Sequence, residues 1–130
     1  MRHLYIIALF ACLVTSLGIQ EVKGQSPREA LNAMVDCFLT GSADNLARHL
    51  NSSVEINMYG ERKVYAATQA KFVLREWFAK HPCYSFQILH TGNSDGYHYA
   101  RGDYRGKTTS FWVTLFMQGS KLSKLKIVRK

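Results

Sequence analysis

The chain has 130 residues, is 47% hydrophobic and 20% charged, and sets 17 Lys and Arg against 9 Asp and Glu for a formal net charge of +8. That length supports one domain, and that apolar content excludes a disordered or low-complexity polymer. With 2 Pro and 9 Gly, collagen-like and linker-like organisations are excluded as well.

Residues 1–24 read as a targeting segment rather than as part of the fold. Arg2 and His3 give a short basic start, Ile6 to Ile19 is an almost unbroken apolar run, and polarity returns with Gln20, Glu21 and Lys23. This is the three-part layout of a secretory signal peptide, with cleavage expected before Gln25 and a mature domain over residues 25–130. A membrane anchor is the competing reading, but the run is shorter than the ~20 apolar residues a spanning helix needs. Leu9-Phe10-Ala11-Cys12 faintly resembles a lipobox and ranks third, because Phe10 is bulky and the apolar run continues past Cys12. The expected location is therefore secreted, in the periplasm, with no transmembrane segment after cleavage.

The next elements are helical. Ser26-Pro27-Arg28-Glu29 combines a side-chain cap, a proline where no amide partner is needed and a Glu that reaches back. Leu31, Met34, Val35, Phe38 and Leu39 follow at helical spacing, and Gly41 ends the helix. Ser42 caps a second, short helix with Leu46, Ala47 and Leu50 on one face, and Asn51-Ser52-Ser53 breaks it. Val54, Ile56 and Met58 alternate with Glu55 and Asn57 as a half-buried strand, and Lys63-Val64-Tyr65 returns after a turn at 59–62. A third helix is predicted from about Ala67 to Lys80, with Ala70, Val73, Leu74, Trp77 and Phe78 as its apolar stripe and His81-Pro82 as its stop.

After Pro82 the pattern is strand-like to the end. Strands are predicted at 84–91, 97–104, 108–118 and 122–129, separated by turns at 92–96, 105–107 and 119–121, which makes an antiparallel meander. The fold class is α+β: three helices in the N-terminal half on a strongly bent antiparallel sheet. This order resembles the nuclear-transport-factor-2-like cone, shared with ketosteroid isomerase and polyketide-cyclase-type proteins. Phe86-x-Ile88-x-His90-x-Gly92-x-Ser94, then Tyr97, Tyr99, Gly102 and Tyr104, with Gln69-Ala70, Trp77-Phe78 and His81-Pro82, is similar to a family of small secreted Bacteroidetes proteins of unknown function. The resemblance spans most of residues 27–129. It implies the cone and leaves the activity open.

Few residues carry catalytic chemistry. Proton transfer in a ketosteroid isomerase-type cone needs a carboxylate base and a Tyr with a neutral acid at the enolate oxygen. Glu55 has the parity opposite to Val54, Ile56 and Met58 and should face water, and Asp36 has no Tyr in its stripe. A dehydratase-type site would need a His with an acid. His90 shares the parity of Phe86 and Ile88, while His98 and Asp103 have opposite parity on one strand. A core His bonded to backbone or to Tyr is the commoner role for such a residue. His81, His90 and His98 lack metal-ligand spacing, no phosphate loop, dinucleotide fingerprint or Gly-x-Ser-x-Gly occurs, and no cofactor, metal or catalytic residue is assigned. Cys37 and Cys83 can pair in an oxidising compartment, but no disulfide-dense framework surrounds them and both read as free, buried thiols.

Binding is the reading that remains, with a lyase or isomerase of the ketosteroid isomerase or dehydratase type as the alternative. Basic residues dominate the region from Tyr97, and Lys124 and Lys126 share one face of the last strand. Such a face suits an anionic partner, or it simply protects an edge strand. If the cone holds a ligand, the expected contacts are His90, Tyr99 and Trp112, with Arg101 the nearest positive charge. The partners expected are a small molecule or an envelope protein and not nucleic acid, with pairing of two copies through the sheet as a further expectation.

Overall fold

The computed structural model describes residues 26–130. The signal peptide expected over residues 1–24 and the cleavage expected before Gln25 lie outside the described residues. Helix α1 (Pro27–Thr40) starts where the sequence places it, with the Glu29 amide donating to Ser26 Oγ at 3.2 Å, and Gly41 ends it at φ 68°. Helix α2 (Ala43–Ala47) is capped in the same way by Ser42. It is shorter than predicted. Leu50 and Asn51-Ser52-Ser53, read as helix end and break, already belong to strand β1 (Leu50–Met58). A register shift against β6 lies between Leu50 and Glu55, so this polar stretch continues the strand through an irregularity.

A tight turn at Tyr59 and Gly60, both at positive φ, leads into β2 (Glu61–Ala66). Helix α3 (Ala67–Lys80) has the predicted bounds, and its N-cap, Ala66, supplies no side-chain hydrogen bond. Strands β3 (Ser85–Ser94), β4 (Tyr97–Arg105), β5 (Ser110–Gln118) and β6 (Lys121–Arg129) form the meander. The sheet is open, in the order β2-β1-β6-β5-β4-β3. All neighbours are antiparallel except β1 and β6, which run parallel, so the sheet is mixed at that one seam.

One face of the sheet packs on the helices. Phe86, Ala100, Tyr104, Phe111, Val113, Leu115, Leu125 and Ile127 meet Met34, Phe38, Leu74, Trp77 and Phe78, all buried. Aromatic rings join helices to sheet: Phe38 lies 5.2 Å from Phe86, and Trp77 lies 4.9 Å from Tyr104 and 5.2 Å from Phe111, centroid to centroid. Gly102 makes this packing possible, because a Cβ there would sit 2.5 Å from the Phe86 ring. Cys37 is buried and Cys83 half-buried, both as free thiols whose pKa burial pushes up. Among the described residues, no helix is long and apolar enough to cross a membrane.

Candidate functional site

Three chain segments end at the same place: the C-terminus of α3, the β1–β2 turn and the end of β6. Between them opens a basin of about 680 Å³, lined by Tyr59, Gly60, Lys80, His81, Val128 and Arg129. Each wall has a local cause. Pro82 forbids another helical turn, so His81 leaves the helix at φ −130° while its amide still donates to the Trp77 carbonyl at 2.9 Å. Tyr59 adopts φ 53°, a left-handed conformation that a residue with a Cβ accepts only at a cost of ~1 kcal/mol, which the tight turn imposes. Arg129 has the parity of Leu125 and Ile127 on β6 and pairs with inward-facing Phe111 on β5, so it occupies the last inner row of the sheet.

These side chains form one network. The Trp77 indole N–H donates to Tyr59 Oη at 3.3 Å, and Tyr59 Oη lies 3.4 Å from His81 Nε2. A hydroxyl that accepts from Trp77 has its own proton free for His81, which suits a neutral imidazole protonated at Nδ1. Burial, then the charges of Arg129 and Lys80, hold the His81 pKa below its ordinary value, in keeping with that neutral form. The His81 ring packs 4.8 Å from Phe111 and 5.3 Å from Trp77. The Arg129 guanidinium lies over the Tyr59 ring, 5.6 Å from its centroid, and 6.0 Å from that of Phe111.

The charge of the basin is one-sided. Lys80 pairs with Glu76 at 3.2 Å, whereas among the described residues no carboxylate lies within 4 Å of Arg129. No Asp or Glu lines the basin itself. An adjoining groove of about 450 Å³ between α3 and the β1–β2 hairpin shares Tyr59, Lys80 and His81, adds Met58, Val73 and Trp77, and carries the charged side chains Glu61, Lys63 and Glu76. The described residues form no group of three or more His, Cys, Asp and Glu placed to hold a metal.

The residues singled out from the sequence come together elsewhere. His90, Tyr99, Arg101 and Trp112 all lie on the sheet face turned away from the helices, not in the cone. For His90 the cause is a bulge: the register against β4 shifts between Ile88 and His90, so Leu89 is the extra residue and His90 opposes Arg101 instead of sharing the inner face with Phe86 and Ile88. Parity along an unbroken strand would have placed it inside, so this is a correction to the sequence reading. For the other three, inner positions are held by Ala100, Gly102, Phe111 and Val113. His90 Nε2 lies 3.0 Å from Tyr99 Oη, and Tyr99 lies across Gly92, where a Cβ would come within 2.7 Å of the hydroxyl. The Arg101 guanidinium sits 4.5 Å and Lys130 Nζ 4.1 Å from the Trp112 ring centroid.

Asp103 bonds Lys130 at 2.6 Å and Arg105 at 3.1 Å rather than a histidine, and these cations, Lys130 first, hold its pKa down. Glu55 faces outward, as its parity implies, 3.4 Å from Lys124. The basin residues escaped the sequence reading because Tyr59 read as a turn, His81 as a helix stop and Arg129 as one more basic residue. The signal for Arg129 was present in its parity with Leu125 and Ile127.

A family model described as Domain of unknown function (DUF4783) matches residues 31–129. A solved DUF4783 family protein from Bacteroides uniformis superposes with a TM-score of 0.70 at 17% identity, covering 76% of this chain and 95% of its own. One from Bacteroides ovatus gives 0.70 at 19% identity, covering 75% and 93%. An NTF2-like protein of unknown function from Cytophaga hutchinsonii gives 0.61 at 9% identity, covering 84% and 94%. These likenesses show the fold. No curated protein matches the chain.

Proposed function

We propose, from the premise that this chain belongs to the DUF4783 family of domains of unknown function, that it is an exported binding module whose ligand is a small organic anion with a flat apolar body. The ligand lies in the basin against Tyr59 and Val128, with its anionic group on Arg129. The observation that carries this reading is Arg129: an inward-parity guanidinium, laid over aromatic rings, with no carboxylate within 4 Å among the described residues. A guanidinium in that setting has donors to offer a carboxylate, and the surrounding rings supply the apolar surface typical of a ligand pocket. Neutral His81, its Nε2 engaged by Tyr59, adds a polar wall without adding charge.

The lyase or isomerase reading has less support. A neutral His beside a Tyr is a usable proton-transfer pair, but no carboxylate lines the basin, and the two in the adjoining groove are held in ion pairs, Glu61 with Lys63 and Glu76 with Lys80. Export belongs to the same proposal, carried by the three-part pattern of residues 1–24, and a mature N-terminus at or near Gln25 by mass spectrometry is its test.

Calorimetric titration with naphthalene-2-carboxylate tests the binding reading. Wild-type protein should bind it, and Arg129→Ala should weaken binding by roughly tenfold, the loss of about one charge-assisted hydrogen bond. Naphthalene without the carboxylate should bind no better to wild type than to Arg129→Ala. Equal binding of the carboxylate by both proteins would overturn the reading.

A further inference from the structure

The outer face of the sheet has an order that a merely solvated surface does not need. Register places His90, Arg101, Thr114, Lys126, Asn57 and Arg62 in one row that crosses all six strands. With strands ~4.8 Å apart, Arg101 and Lys126 stand about 10 Å apart with the Thr114 hydroxyl between them. Aromatic residues border this polar row on both sides, Trp112 along one flank and Tyr99 and Phe116 along the other. All three rings are half-buried and form low ridges beside the row.

The charge of this face is unbalanced and partly free. Its two carboxylates are already engaged, Asp103 by Lys130 and Arg105, and Glu55 by Lys124 and Arg62. Arg101 and Lys126 have no carboxylate within 4 Å among the described residues. Two copies meeting through this face would bring like-charged rows together, which disfavours self-pairing. The rings are not open stacking platforms either, because Arg101 and Lys130 lie over Trp112, and Lys124 lies over Phe116 at 5.1 Å. Single-stranded nucleic acid depends on such open rings.

We propose that this face binds an acidic polysaccharide, a chain of carboxylated sugars laid along the row. Its carboxylates would meet Arg101 and Lys126, and its hydroxyls Thr114 and Asn57. The supporting observation is charge complementarity: two cations without a carboxylate partner, Arg101 on β4 and Lys126 on β6, stand in one row with hydroxyl and amide groups and suit a polyanion laid across the strands. The site is separate from the basin and does not depend on it.

The test is affinity electrophoresis of the full chain through gels containing polygalacturonate, beside the double variants Arg101→Ala/Lys126→Ala and Lys63→Ala/Lys80→Ala. Both variants lose the same charge, and the second loses it at the basin and its adjoining groove. All four are surface substitutions whose effect on folding should be small and is checked by circular dichroism. Wild type should be retarded, the first variant should bind about tenfold or more weakly, and the second should stay within about twofold of wild type. Absence of retardation, equal loss in both variants, or a larger loss in the second would overturn the proposal. Tighter binding of oligo-deoxythymidine than of polygalacturonate at equal charge would assign the face to nucleic acid instead. Dimerisation of free wild type that the first variant abolishes, seen by sedimentation, would assign it to a second copy.

Discussion

Replacing Tyr104 by Phe should destabilise the domain although it removes a single oxygen. The Tyr104 ring is fully buried among Phe38, Trp77, Phe86 and Phe111, and its hydroxyl donates to the His81 carbonyl. That carbonyl sits where α3 has stopped, beyond the helical hydrogen-bond ladder. In Tyr104→Phe the ring packing stays, the hydrogen bond goes, and a part-buried acceptor loses its donor. A neutral hydrogen bond contributes about 1 kcal/mol net, and an orphaned buried group costs about 1–3 kcal/mol, so a loss of about 1–2 kcal/mol is expected. Tyr104→Ala also opens a cavity and should cost about 3–5 kcal/mol. Urea unfolding reads the difference: with a slope of about 1 kcal/mol/M for a small domain, the Phe variant's midpoint should fall by about 1–2 M with the slope unchanged.

The same bond can be followed by pH. Burial, and then Cys83, push the Tyr104 pKa well above its ordinary value. The unfolded phenol ionises near pH 10, so the folded state holds more protons above that pH and stability should fall as pH rises past it. Tyr104→Phe should flatten that alkaline slope. A Phe variant as stable as wild type, with an unchanged alkaline slope, would refute the account of how α3 is tied to the sheet.

Other consequences follow from particular residues. Gly102→Ala places a methyl 2.5 Å from the Phe86 ring and 2.8 Å from the Gln87 carbonyl oxygen, so thermal melting should show a loss of about 1–3 kcal/mol or no folded protein. Ala66→Ser should stabilise the domain by about 0.5–1 kcal/mol in urea, because Ala66 holds N-cap geometry at φ −63°, ψ 153°, without a side-chain acceptor, and Gln69 stands where a capping box needs it. His81, with its folded pKa lowered chiefly by burial, makes the unfolded state the better proton binder, so stability should fall as pH drops through about 6.5; His81→Gln should remove that part of the slope.

The architecture was legible because local signals agree with tertiary packing. The Ser26 and Ser42 caps, the α3 stripe ending at His81-Pro82 and the Gly-marked turns of the meander all point to the elements found. Two features lie beyond pattern reading. The parallel pairing of β1 with β6 joins segments far apart in sequence, and nothing local in either strand specifies it. The bulge at Leu89 breaks the period-two rule inside a strand that reads as regular, and with it moves His90 from the inner face to the outer. His90, Tyr99, Arg101 and Trp112 therefore share one face of the sheet, and it is the face turned away from the helices. The basin was hidden for another reason. Its walls come from the ends of three elements, and such residues read as punctuation until the chain folds.

The position of a bound anion tests the central claim most directly. In ¹⁵N–¹H spectra of the uniformly labelled protein titrated with naphthalene-2-carboxylate, the largest shifts should fall on the amides of Tyr59, Gly60, His81 and Arg129, while Arg101, Thr114 and Lys126 stay unmoved. Shifts concentrated instead around the depression between α1 and α2, at Cys37, Asn45 and His49, or no saturable shift anywhere, would contradict the assignment of the basin as the binding site.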